Sequence, residues 1–223
     1  MGSLKGAFIN MSAGLLGALP NIVVFQFNPA QVTRTPTLAQ PPPRNDGSGT
    51  QNGLDQPGRP SETYSFSLRF DATDQLASGN PLAAASGILP MLSALEQLMQ
   101  PKSSSLLNFL PPIPGLGGDA AASSYDCPPT RLPMVYFFWG PYRIWPVNIT
   151  SLAITETEYN VLLVPVRADV TVNLTVLTPA QLSGETFATA AYDYSQGVRE
   201  VMATLNLANS VEFGVSSVMS LSI

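Results

Sequence analysis

Val166-Arg167-Ala168-Asp169-Val170-Thr171-Val172-Asn173-Leu174-Thr175-Val176 is the stretch that decides the fold. Val166, Ala168, Val170, Val172, Leu174 and Val176 are apolar, and Arg167, Asp169, Thr171, Asn173 and Thr175 between them are polar. A period of two is the repeat of a β-strand, whose successive side chains point to opposite faces. Without an interrupting glycine or proline, it predicts one long antiparallel strand with a core face and a wet face.

Working outward, the same signal recurs. Tyr64-Ser65-Phe66-Ser67-Leu68-Arg69-Phe70-Asp71 places Tyr64, Phe66, Leu68 and Phe70 on one face. Ile22 to Phe27 is a short β-branched and aromatic run, and Met134 to Trp139 is apolar on both faces, as a central strand is. Arg143 to Ile154 reads as one or two strands with a break near Pro146. Helical spacing is confined to two places. Ile88, Leu92, Leu95 and Met99 predict a helix beginning at about Leu82 or Ile88, with Pro90 in its first turn and Pro101 closing it. Val198, Val201, Met202 and Leu205 suit a helix from Ser195 to Leu207. Pro36 to Pro60, Pro101 to Pro114 and Gly115 to Pro129 are too rich in Pro, Gly and Ser for regular structure and are expected to be loops. The expected class is therefore mainly β (α+β), an antiparallel barrel or sandwich with one short helix and long Pro/Gly-rich loops.

Composition narrows the chemistry. The 223 residues include no histidine and one cysteine, Cys127. That excludes Ser-His, Cys-His and His-metal arrangements, an internal disulfide and any CxxC site. Charged residues are only 11% of the chain, against about 25% in an ordinary soluble domain. With hydrophobic residues at 45%, the surface of an isolated copy would be poorly charged, which points to burial in an assembly or to membrane contact. A net charge of −5 leaves no basic stripe for nucleic acid. Gly6 to Phe27 is uncharged and follows Lys5, but Asn10, Ser12, Pro20, Asn21 and Gln26 break it into short apolar pieces. A soluble chain, cytoplasmic when made and without stable membrane insertion, is expected.

Candidate chemical motifs have simpler structural readings. Asn10-Met11-Ser12, Asn148-Ile149-Thr150 and Asn173-Leu174-Thr175 match the glycosylation sequon, a short pattern common by chance, and two of them fall in predicted strands. Glu156 and Glu158 share a face of a predicted strand, whereas acid–base pairs oppose each other across a substrate. Cys127 lies between Asp126 and Pro128 with no base available. Phe137, Phe138, Trp139, Tyr142 and Trp145 surround Gly140-Pro141; such a cluster serves as core and interface anchor, or in a carbohydrate-binding β-sandwich as a sugar platform. The expectation is a non-enzymatic structural protein with no catalytic residues, cofactor or metal.

The order of motifs adds a resemblance. Val24-Phe25-Gln26-Phe27-Asn28-Pro29 comes first, then Tyr64 to Asp71 continuing into Ala72-Thr73-Asp74. Pro128-Pro129 precedes Val135-Tyr136-Phe137-Phe138-Trp139-Gly140, and Pro165-Val166-Arg167-Ala168-Asp169-Val170 comes last. Over residues 5–178 this resembles the tube-domain baseplate proteins of phage-tail-like contractile injection systems. The residues that carry the likeness are Phe25, Phe27, Asn28, Pro29, Phe66, Phe70, Asp71, Asp74, Trp139, Gly140, Pro165, Arg167 and Ala168. The resemblance implies a tube-protein-like β domain over 1–178, including loops 36–60 and 101–129. It also implies a six-fold ring of copies that links the trimeric spike to the stacked tube rings within a bacterial phage-tail-like particle. The expected partners are other copies, the spike protein, the adjacent tube ring and the baseplate wedge proteins. Arg167, Asp169, Thr171, Asn173 and Thr175 would face the lumen. Another tube-like ring, main tube subunit or terminator, is the alternative within the same class. Residues 179–223 carry no LysM-like pattern, unlike many members, and are expected to form an inter-subunit contact.

Overall fold

The computed structural model describes residues 4–10, 21–38, 59–100 and 132–220, with side chains as far as Leu207. The expected 101–129 loops, Cys127 and Pro128-Pro129 lie outside the described residues, as do most of the 36–60 loop and Met11-Ser12 of the first sequon.

Seven strands form one antiparallel sheet: β1 (Ala7–Asn10), β2 (Asn21–Val24), β3 (Val32–Thr37), β4 (Ser61–Asp71), β5 (Val135–Phe138), β6 (Ile144–Tyr159) and β7 (Pro165–Val176). Their order is β2-β1-β5-β6-β7-β4-β3. The deciding stretch is β7, paired to β4 on one side and β6 on the other, with Ala168, Val170, Val172, Leu174 and Val176 all buried. Tyr64, Phe66, Leu68 and Phe70 are buried on the same side of β4.

The sheet curls around one core. Phe8 on β1 and Phe66 on β4 are separated by three strands in the sheet order, yet their rings lie 6.2 Å apart. Phe25 and Phe137 join them, with Phe137 stacked on Phe66 at 5.4 Å. Offset and edge-on aromatic contacts of this kind each add about 1 kcal/mol beyond burial. Ile88, Leu92 and Leu95 enter the same cluster.

Four details depart from the sequence expectations. First, β6 runs unbroken for 16 residues through Pro146. Pro146 turns its main-chain polar groups toward Leu177, whose N–H donates to the Pro146 carbonyl at 2.8 Å, so the missing N–H costs no bond to β5. Second, the helix expected from Leu82 or Ile88 to Met99 is α3 (Leu89–Glu96), with Pro90 in its first turn as expected, but two shorter helices, α1 (Thr73–Ala77) and α2 (Pro81–Ser86), precede it. Gly87 divides α2 from α3 at φ 52°, and a Cβ there would stand 2.1 Å from the Pro165 carbonyl oxygen. Third, Pro36 and Thr37 belong to β3, where proline is tolerated because the strand is an edge. Fourth, the C-terminal helix α4 spans Thr186–Ser220, 35 residues rather than the short segment from Ser195. Among the described residues no helix is long and apolar enough to cross a membrane.

Candidate assembly surface

The motif stretches converge at one end of the curled sheet. Phe25 is fully buried and packs on Trp139, with ring centroids 6.4 Å apart. Both rings press on Gly6, where a Cβ would sit 2.7 Å from Phe25 and 2.8 Å from Trp139. Gln26 next to it acts as a substitute peptide group. Its Nε2 donates to the Asp71 carbonyl at 2.6 Å, and its Oε1 accepts from the Asp71 N–H at 2.8 Å. The side chain thereby links the chain leaving β2 to the end of β4, two segments the strand ladder leaves unjoined. Asn28 repeats the device, accepting from Gly6 N at 3.0 Å and donating to the Leu4 carbonyl at 2.8 Å.

Asp71 is the hub of the charged end. Thr73 donates to its carboxylate through its hydroxyl and, at 2.8 Å, through its backbone N–H; Arg167 Nε donates at 2.8 Å. The Thr73 hydroxyl bond does most to hold the Asp71 carboxyl below its ordinary value, with burial opposing. Arg167 also pairs with Glu158, and its own pKa is raised, chiefly by Asp71. Arg69 and Asp169 form a more exposed pair at 3.1 Å. Of the other motif residues, Phe70 and Ala168 are a buried cross-strand pair. Pro165 accepts from Ile88 N at 3.0 Å, and Gly140 takes a left-handed turn conformation at φ 72°. Phe27 is half exposed and, with Asn28 and Pro29, walls an open groove of about 790 Å³ over Ser67, Arg69 and Thr171. Asp74 stands in the first turn of α1, outside this cluster.

Arg167, Asp169, Thr171, Asn173 and Thr175 share the outward face of β7, and register extends that face over four strands. Ser65 and Ser151 flank Asn173; Ser67 and Ala153 flank Thr171; Arg69 and Thr155 flank Asp169. Thr33 and Thr35 of β3 continue the rows through Ser65 and Thr63. The surface is therefore mostly small hydroxyl and amide side chains, with its charges paired at one end. Glu156 and Glu158 do not share a face as expected. A bulge places Glu156 opposite Ala168 and Glu158 opposite Arg167, which sends them to opposite sides.

Both margins of the polar face lack a strand partner among the described residues. Among the described residues β3 pairs only with β4, and β6 beyond Val147 pairs only with β7. Residues 33–37 and 155–159 are exposed.

One feature escaped the sequence reading although its signal was there. Glu62 has the same parity as Tyr64 and Phe66 and points inward, where only 7% of its side chain is exposed. Arg34 Nε reaches it at 2.9 Å and Arg199 Nη2 at 2.7 Å, and Arg199 also lies 4.2 Å over the Trp145 ring. The group clamps α4 to β4 and β3. Burial, and next Glu62, push the neighbouring Tyr64 phenol up to about 12.

The aromatic cluster does not form a sugar platform. Trp145 is fully buried beneath Arg199, Trp139 packs against the core, and only Tyr142 is well exposed. No family model matches the chain, and no curated protein matches its sequence.

Proposed function

We propose that this protein is a structural ring subunit, a tube-initiating baseplate component of a contractile injection system. In this role copies made in the cytoplasm close into a ring that joins the spike to the inner tube of a phage-tail-like particle. The adjacent tube ring and the wedge proteins would be its other neighbours.

The observation that supports this best is one continuous polar face flanked by two sheet margins that no further strand pairs among the described residues. Unpaired strand edges invite pairing with another chain, and natural proteins block them unless they are used. The edge of β3 in one copy and the edge of β6 in the next are different surfaces, so their pairing is head-to-tail, the kind that closes into rings. Four strands from each of six copies would make a barrel of roughly 24 strands at about 4.8 Å spacing, roughly 40 Å across. Its inner wall would be the hydroxyl- and amide-rich face, wet and with few unpaired charges. The order of motifs over residues 5–178 supports a place among the tube-like rings of the particle.

Deleting the gene in its bacterial host and viewing purified particles by negative-stain microscopy tests this. Loss of sheath-tube particles, restored by the intact gene, is expected. Particles that assemble and contract normally without the protein would end the proposal.

A further inference from the structure

The turn joining β6 to β7 carries Val161, Leu162 and Leu163, which are 99%, 70% and 81% exposed. It is nonetheless held in shape. Asn160 Oδ1 accepts from the N–H groups of Leu162 and Val164 at 2.9 and 3.0 Å, and the Asn160 N–H donates to the Val164 carbonyl at 2.9 Å. Leu163 sits at φ 60°, a left-handed conformation that leucine holds only where its surroundings fix it. A braced turn of this kind loses little freedom when a partner covers it.

Strand direction and register say what lies beside this turn in a ring. From β6 through β7 and β4 to β3 each neighbour is antiparallel, so β3 runs opposite to β6. Rotation about a ring axis keeps that relation, and a joint between β6 of one copy and β3 of the next is antiparallel too. Asp71 turns its N–H and carbonyl toward Gln26, away from β7. By alternation Thr33 and Thr35 bond to β4, while Arg34 on β3 and Ile154 and Glu156 on β6 aim their main-chain groups at the outer margins. Arg34 lies opposite Tyr64, and Glu156 opposite Ala168, so both belong to the inward face and meet on one side of the joint.

Charge selects the stagger. At the β3 margin two guanidinium groups, Arg34 and Arg199, share the Glu62 carboxylate, and the Arg34 side chain is 42% exposed. Near the turn, Asp71 and Glu158 share Arg167, and Glu156 adds a further carboxylate with the Tyr159 phenol against it. One margin thus has positive charge to spare and the other negative. Within a copy Arg34 shares a row with Tyr64, Leu174 and Ile149. Setting it opposite Glu156 of the neighbour slides β3 about six residues toward the turn, a strand tilt of roughly 45–50°, close to that of known barrels. A slide of about four residues would instead set Arg34 against the apolar Ile154. In the charge-paired register Thr35 faces Thr155, and past the Glu156–Glu158 bulge Val32 faces Tyr159. The chain leading into Val32 then runs beside Val161 to Leu163. That chain includes Phe27, which is 47% exposed and with Pro29 and Ala30 walls the open groove.

We infer that Glu156 of one copy pairs with Arg34 of the next, and that the Val161–Leu163 turn seats on the Phe27–Ala30 wall of that next copy. The inference rests on the edge-to-edge ring reading and gives that joint its register and its apolar anchor.

The test uses the full chain with Cys127→Ser. One tagged version carries Leu162→Cys and a differently tagged version Ala30→Cys, both at exposed positions; the two are co-expressed and oxidised. A disulfide joining the two tags is expected, and none when Thr37→Cys, at the other end of β3, replaces Ala30→Cys. Glu156→Gln and Arg34→Gln stand at opposite margins of the polar face in their own copy. Each should weaken association about 3- to 10-fold, and the two together no more than the larger single effect, because both remove one contact. Rings that form without the cross-link, additive effects of the two substitutions, or a disulfide within one chain carrying both cysteines would overturn the inference and leave the ring reading intact. An inter-chain disulfide in a protein that forms no rings would keep the contact and end the ring proposal; neither rings nor disulfide would end both.

Discussion

Gln26 shows how a single side chain can finish a fold. Its amide supplies one donor and one acceptor to the main chain of Asp71, the two bonds a further strand residue would have made. Gln26→Met keeps the length and removes both bonds. It should lower unfolding free energy by about 2 kcal/mol, within the range for leaving partly buried backbone groups unpaired, as urea denaturation would show. The sequence marks Gln26 inside the Phe25 to Pro29 stretch but not its purpose, because its partner lies 45 residues away. Gly6 was silent for the same reason: only the two rings on either side of it explain why no side chain fits.

Asp71 carries the pH dependence at this scale. Its folded pKa is lowered from 3.8 by the Thr73 bonds and Arg167. A lowered carboxyl contributes stability that is present above the unfolded value and is lost as pH falls through the folded one. Parent protein should therefore lose stability as pH drops below about 3.8, and Asp71→Asn, weaker at neutral pH, should lose less over that window. Parallel acid titrations of urea-measured stability check this; equal losses would remove Asp71 from the explanation.

At the scale of elements, strands were legible, and two helices were legible in place but not in extent. Strict alternation in β4 and β7 left one interpretation, since a slip by one residue would expose every apolar side chain. Pro146 misled because proline ordinarily ends a ladder, and only the change of partner from β5 to β7 shows why it is harmless here. The bulges of β6 are also invisible to a period-two reading, and one of them separates Glu156 from Glu158. Helix α4 starts nine residues before the expected Ser195, where its buried face is only Ala188, Ala191 and Tyr192, two of them too small to mark an apolar stripe. What fixes that helix to the sheet is charge as well as apolar contact. Glu62→Met leaves Arg34 and Arg199 facing an uncharged side chain and should cost about 2 kcal/mol, since both guanidinium groups keep contact with solvent. Hydrogen exchange should then rise first in α4, before the β4–β7 ladder; unchanged protection in α4 would show that the clamp is incidental.

For the whole molecule, the low charge content fits the proposed assembly, in which surfaces exposed in one copy would be covered by the next. The polar face needs few charges because its hydroxyl and amide groups bond water, and Ile22 and Val24 of β2 stand half exposed. Composition hinted at burial in an assembly, yet which surfaces remain uncovered became clear only from strand order and register. The aromatic residues around Gly140 illustrate the limit: their crowding in sequence said nothing of which ring would be inside, and Trp145 lies fully buried while Tyr142 is exposed.

The central claim is that copies join edge to edge through β3 and β6 around a polar lumen. Light scattering on the size-fractionated full chain, with negative-stain averages of the same fractions, tests it most directly. The account predicts closed rings whose strand barrel is roughly 40 Å across, with a narrower central opening and a mass that is an integer multiple of the chain's. A single monomeric species at every concentration, or a closed two-fold dimer that buries both edges against themselves, would contradict it.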